Sequence, residues 1–173
     1  QVLYFIEWYS QKGNEKPILI VAPVSLLENW QNEYEKFFPN PNRQVETLWG
    51  QNVKNFIIVN DKKKTKKNLN VNSIFFTTYE TLRKHQIPMA LIHWGLVILD
   101  EAQKVKTPGT LVTNAAKALQ TDFKIAMTGT PVENSLMDLW CIVDFCSPGL
   151  LECVKSFSNK YQKPLGDEGT DLN

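Results

Sequence analysis

Residues 96–107 read LVILDEAQKVKT, an apolar run of strand length that ends on two adjacent acids and then turns polar. An open parallel sheet explains such a junction, because its strands all leave along one edge and ligands bind in the crevice beyond their carboxyl ends. Working outward, ILIVA (18–22), QVETLW (44–49), VNSIFFTT (71–78) and KIAM (124–127) are further strand-length runs, and amphipathic stretches of helix length separate them. That alternation marks a parallel sheet covered by helices. It sets Ala22-Pro23-Val24-Ser25, Thr77-Thr78, Asp100-Glu101 and Thr128-Gly129-Thr130 along one rim, each after an apolar strand.

The helices carry start and stop signals. Ser25 and Glu28 have capping-box spacing, and Leu26, Leu27, Trp30, Tyr34, Phe37 and Phe38 trace one face before Pro39. Thr77 with Glu80 predicts a second capping box opening YETLRKH, which ends near Pro88. Thr107 is expected to cap a helix with Pro108 in its first turn and Val112, Ala115, Ala116 and Leu119 facing inward. Asn134 or Ser135 starts LMDLWCIVDF, Pro148 and Gly149 end it, and 150–163 adds one more helix.

At 173 residues the chain has the length of one domain with a sizeable core. Its 43% hydrophobic and 21% charged residues exclude a disordered tail or a fibre. With a net charge of +1, any affinity for nucleic acid must come from a local patch. Cys141, Cys146 and Cys153 make neither an even disulfide set nor a CxxC pair, so they read as buried thiols in a reducing compartment. His85 and His93 have no companions at metal-ligand spacing.

No apolar run reaches the length of a membrane span, and QVLYFIEWYSQKG lacks a basic region before a cleavage site, which describes a soluble chain. The same opening is apolar at helical spacing and has no cap. It reads as a helix already under way, so the chain is expected to begin inside a longer protein. The run KKKTKK (62–67) reads as a solvated loop that adds salt-dependent, sequence-independent attraction for a polyanion and no specific contact. Nothing signals a strong homo-oligomer.

Adjacent residues leaving a strand point in different directions, so Asp100 and Glu101 can divide labour. One carboxylate can hold Mg²⁺, which takes oxygen ligands and keeps most of its waters. The other can orient and deprotonate a water for attack on a phosphate. An acidic pair at the start of a loop is also an ordinary solvated turn. Thr128-Gly129-Thr130-Pro131 on a neighbouring rim weighs toward chemistry.

These motifs carry a family resemblance. DEAQ (100–103) resembles the Walker-B box of superfamily-two helicase-like ATPases, and MTGTPVENSLMDLW (127–140) resembles their third motif in its Swi/Snf version. PILIVAPVSLLENWQNEYEKFFP (17–39), with its Asn29-Trp30 pair, is similar to that family's first DNA-contact segment, and FTTYETLRKH (76–85) to the next. ILDEAQKVKTPGT, DFCSPGLL and the Phe157, Tyr161, Pro164 pattern continue the match in order. There is one departure: no GxxxxGK[ST] phosphate loop occurs in the sequence. QVLYFIEWY resembles the helix that follows that loop, and the lobe with the arginine finger is also missing.

The resemblance implies an α/β fold, a RecA-like three-layer sandwich with a mostly parallel central sheet and helices on both faces, over residues 1–165, followed by a frayed tail at 166–173. It implies ATP hydrolysis coupled to movement along double-stranded DNA, by a motor whose second RecA-like lobe lies elsewhere in the protein. Such a motor works at the nucleoid of a bacterium or in a eukaryotic nucleus. Asp100 would reach Mg²⁺ mostly through water, Glu101 would be the general base, and Gln103 would sense the γ-phosphate of ATP or link it to the third motif. Thr128, Gly129 and Thr130 would relay nucleotide state to DNA grip, while Asn134 holds that turn or caps the helix.

Pro23, Val24 and Ser25, and again Thr77, Thr78 and Tyr79, would open helices whose free main-chain N–H groups suit DNA phosphates, with ordinary capping as the alternative. Trp30 is expected in the core. Two other readings stay open: a non-catalytic docking or regulatory module built on the same lobe, and an RNA helicase lobe, against which TGTP and Asn29-Trp30 stand. The stretch by itself is expected to fold at least partly and to lack ATP turnover.

Overall fold

The computed structural model describes residues 1–50, 52, 53, 70, 72–131 and 135–162. The lysine run, Asn134, Pro164 and the tail at 166–173 lie outside the described residues. Strands β1 (Ile18–Ala22), β2 (Gln44–Leu48), β3 (Ser73–Thr78), β4 (His93–Leu99) and β5 (Gln120–Ala126) form one sheet in the order β2-β3-β1-β4-β5. Every pairing is parallel. The register sets Ala22 beside Thr78, Val21 beside Leu99 and Leu99 beside Ala126, so the polar residues that follow β1, β3, β4 and β5 leave along one edge, as the sequence predicts.

All five residues of β1 and residues Leu96–Leu99 of β4 are wholly buried, because both faces of these central strands are covered. Side chains alternate between the faces. Ile18, Ile20, Phe76, Leu96 and Ile98 join Ile6 of α1 (Val2–Gln11) and Leu27 and Tyr34 of α2 (Val24–Phe37). Leu19, Val21, Phe75, Val97 and Leu99 face the other way. They meet Leu82 of α3 (Tyr79–Lys84), Met89 of α4 (Gln86–Ala90), Ala115 and Ala116 of α5 (Leu111–Lys117) and Phe145 of α6 (Leu136–Cys146). A fully buried Leu or Ile contributes about 1.5–3 kcal/mol, so these two layers dominate stability and fix the rim. A smaller cluster sets Phe157 of α7 (Val154–Phe157) against Trp140 and Cys141.

Several local expectations are corrected. Pro23, at φ −54° and ψ 143°, is the residue before α2, so Ser25 falls inside the first turn and no side-chain cap forms there. Thr78 caps α3 in place of Thr77: its hydroxyl accepts the Thr81 N–H at 3.0 Å, because β3 runs on through Thr77. Thr110 caps α5, and Thr107 lies before a Pro108-Gly109 turn with Gly109 at φ +76°. The helix after β3 breaks at His85, and Pro88 stands inside α4. Phe37 is exposed although it continues the apolar face of α2, and Cys153 is exposed where a buried thiol is expected. β5 begins four residues before KIAM, since an edge strand can carry Gln120, Thr121 and Asp122.

Candidate functional site

The rim residues after β4 and β5 form a connected polar cluster. Asp100 stays on the sheet, its N–H donating to the Val21 carbonyl at 2.8 Å. Glu101 then takes a left-handed backbone, φ 53° and ψ 51°, which reverses the chain and opens a short 3₁₀ turn over Ala102–Val105. This conformation costs a residue other than glycine roughly 1–2 kcal/mol and is held by its surroundings. The Glu101 N–H donates to Asp100 Oδ1 at 3.0 Å, and the Ala102 N–H to the Met127 carbonyl at 2.8 Å. The two carboxylates therefore share a backbone but face different partners.

Gln103 joins the acids to the turn after β5. Its Nε2 donates to Glu101 Oε2 at 2.5 Å, and its Oε1 accepts the Thr128 hydroxyl at 2.8 Å. Thr128 in turn accepts the Thr130 N–H at 3.1 Å. The reverse amide orientation would set a carbonyl oxygen against a carboxylate, so the pairing fixes which end of Gln103 faces Glu101. Gly129 is exposed, with open space where a Cβ would stand. Asp100, Glu101, Gln103 and Thr128 are all half-buried, reachable from solvent yet held.

Two residues outside the predicted catalytic set complete the cluster. Trp30 Nε1 donates to Asp100 Oδ2 at 2.7 Å, so this tryptophan is a partner of the acid as well as core. The Tyr79 hydroxyl donates to the Asp100 carbonyl at 2.7 Å. Burial, and after it the Asp100 and Glu101 charges, push the Tyr79 phenol far above its ordinary value, which keeps it a donor. A signal for Trp30 was available in principle, since a buried indole N–H has to find an acceptor. The spacing of apolar residues carries no such information.

The remaining rim residues are placed less uniformly. Val24 and Ser25 are exposed at the start of α2. Thr77 is wholly buried with its hydroxyl on the Leu48 carbonyl, and the Tyr79 side chain turns inward, so neither side chain is presented outward with Thr78.

Mg²⁺ suits this arrangement. Among the described residues no three or more His, Cys, Asp or Glu side chains gather as a metal cage. Mg²⁺ binds through one or two carboxylates, waters and substrate phosphates, and does not require such a cage. Asp100 would be the hard oxygen ligand, and its carboxylate is already anchored at both oxygens.

An all-parallel sheet with helices on both faces, and an acidic pair tied to a Thr-Gly-Thr turn at its carboxyl edge, is the architecture of a RecA-like lobe. Residues 1–173 match the SNF2-related domain throughout, and the chain belongs to that family. It is 42% identical to the Zorya protein ZorD of Escherichia coli O139:H28, over 97% of this chain and 17% of that protein. It is 35% identical to an uncharacterised ATP-dependent helicase of Mycoplasma genitalium, over 97% of this chain and 15% of that one. The Sulfolobus solfataricus SWI2/SNF2 ATPase core in complex with dsDNA superposes with a TM-score of 0.77 at 32% identity, covering 94% of this chain and 32% of the core. The chain thus spans less than a fifth of the length of these two curated relatives.

Proposed function

We propose that this chain is part of the motor of a DNA-stimulated ATPase that couples ATP hydrolysis to translocation on double-stranded DNA or to remodelling of protein–DNA complexes. The hydrogen-bonded series from Thr128 through Gln103 to Glu101 carries this reading, because it ties the residue best placed as a base to a turn on the neighbouring strand. Asp100 would hold Mg²⁺ through water, and the metal would offset phosphate charge. Glu101, aimed by Gln103, would take the proton of the attacking water. Gln103 does not titrate, so its part is to orient Glu101 and to pass its position to Thr128, Gly129 and Thr130.

ATP would also need a phosphate-binding loop, which no segment of this sequence provides. Residues 1–165 are read as one lobe, and a second RecA-like lobe of the same protein would contribute the arginine. Duplex DNA would meet the start of α2 at Pro23, Val24 and Ser25, where the N–H groups of Val24 and Ser25 suit phosphate, and the chain at Thr78. From Thr77 and Tyr79 only the main chain could take part. The Sulfolobus solfataricus core was solved in complex with dsDNA, which supports this choice of partner. A nucleoid or nuclear setting follows from that partner.

The test uses the full-length protein. Wild type is expected to hydrolyse ATP faster with duplex DNA, while Glu101→Gln lowers turnover by about 100-fold or more with ATP binding retained. Stimulation by RNA alone would favour an RNA helicase lobe, and DNA binding without hydrolysis would favour a docking module. A fully active Glu101→Gln enzyme would remove Glu101 from its role.

A further inference from the structure

Asp100 is reached from both faces of the sheet. Trp30 comes from α2, which packs with α1 on one face, and donates to the carboxylate at 2.7 Å. Tyr79 comes from the start of α3, which packs on the other face, and donates to the carbonyl of the same residue at 2.7 Å. An indole offers one donor and no acceptor, so its direction is unambiguous, and a bond to a carboxylate is stronger than a neutral one. With the Glu101 N–H on the other oxygen, the carboxylate of Asp100 has little freedom to rotate.

These two helices also carry the segments proposed to meet DNA. Trp30 lies less than two turns beyond Val24, and Tyr79 directly follows Thr78. An α-helix is a rigid lever over its first two turns, so a shift of either helix start moves a donor that is fixed on Asp100. A cavity of about 550 Å³ lies against Trp30, lined also by Asn29, Tyr4 and Met127, so the indole is not packed tightly on every side.

We propose that Trp30 and Tyr79 are positioning residues that transmit duplex-DNA contact at the starts of α2 and α3 to the placement of the Asp100 carboxylate. This rests on the function proposed above. Neither residue touches nucleotide or DNA through the atoms concerned; both act through Asp100. Trp30 sets the side chain that would hold the metal, and Tyr79 sets the main chain from which it projects.

In the full-length protein, Trp30→Phe and Tyr79→Phe each delete one donor and keep an aromatic ring. Three quantities are measured: duplex-DNA affinity, the Mg²⁺ concentration that half-saturates binding of a non-hydrolysable ATP analogue, and the ratio of DNA-stimulated to basal hydrolysis. Trp30→Phe is expected to raise the Mg²⁺ requirement by about three-fold or more, an effect that needs no turnover. Both variants are expected to cut the stimulation ratio by about five-fold or more while DNA affinity stays within about two-fold of wild type. A variant with wild-type ratio and wild-type Mg²⁺ dependence removes that residue from the role and leaves the ATPase assignment standing.

A wild-type protein whose hydrolysis ignores duplex DNA overturns the DNA-stimulated function proposed above, and the coupling with it. Should a variant fail to fold, ¹⁵N-labelled indoles of the wild-type protein give the answer. The indole resonance displaced by Asp100→Asn is expected to move when duplex DNA is added without nucleotide, and an unmoved resonance overturns the coupling.

Discussion

Glu101 shows how one residue can be shaped for chemistry against its own backbone preference. Its φ of 53° would suit glycine, yet a carboxylate stands there and accepts a hydrogen bond from Gln103. Glu101→Gly relieves the strained torsion but adds unfolded-state entropy and loses that hydrogen bond, so these effects largely cancel. The unfolding free energy is expected to stay within about 1 kcal/mol of wild type, measured by denaturant titration, while hydrolysis by the full-length protein is lost. A stability loss well beyond that would mean the side chain holds the turn. Stability and activity would then not separate at this position.

At the scale of elements, the strands were legible and the caps only in part: Ser135 caps α6, its hydroxyl accepting the Met137 N–H at 3.2 Å, while three other caps were misplaced. ILIVA, SIFFTT and LVIL are so apolar that burial on two faces is their only reasonable fate, and they occupy β1, β3 and β4. Cap positions depend on where a strand stops, which composition does not encode. β3 runs one residue further than the Thr77–Glu80 pairing assumes, and a Pro-Gly turn delays α5 to Leu111. Thr110→Ala should therefore cost about 1 kcal/mol, and Thr107→Ala, at the position suggested by sequence, less than about 0.5 kcal/mol. Equal effects in thermal or denaturant unfolding would show that the cap had been misplaced.

The cluster at 100–103 and 128–130 was legible in the sequence because parallel topology brings strand ends together regardless of their separation in the chain. Trp30 and Tyr79 are only partly legible there. Periodicity reports which face a side chain occupies and says nothing of the polar atom at its tip.

For the molecule as a whole, the opposite end of the sheet carries its own fastening. Asp122 of β5 accepts from Lys16 at 2.7 Å and pairs with His93 at 2.7 Å, joining the approaches to β1, β4 and β5. The hydrogen bonds from Lys16 and His93 hold the Asp122 carboxyl below its ordinary value. A depressed folded pKa gives stability that is present above the unfolded value near 4 and is lost as pH falls through the folded one. Asp122→Asn should therefore destabilise the chain slightly at neutral pH, by less than about 1 kcal/mol for so exposed a pair, and the difference should vanish in acid. A gap that persists below about pH 3 on acid titration would point to packing and not charge. The 173-residue chain alone is expected to show negligible ATP turnover with or without duplex DNA, since it brings no phosphate loop.

Main-chain bonds around Asp100 fasten the carboxyl edge in turn. Asp100 N–H reaches Val21, Met127 N–H reaches Leu99, and Ala102 N–H reaches Met127, so the ladder of the sheet continues past the ends of the strands. The amides of Asp100 and Ala102 should then take up deuterium only on the slow timescale of global opening, and not on that of a surface loop. The corner meant to meet a reactant is in this way spliced onto the least yielding part of the chain, and cannot come undone until the sheet itself does.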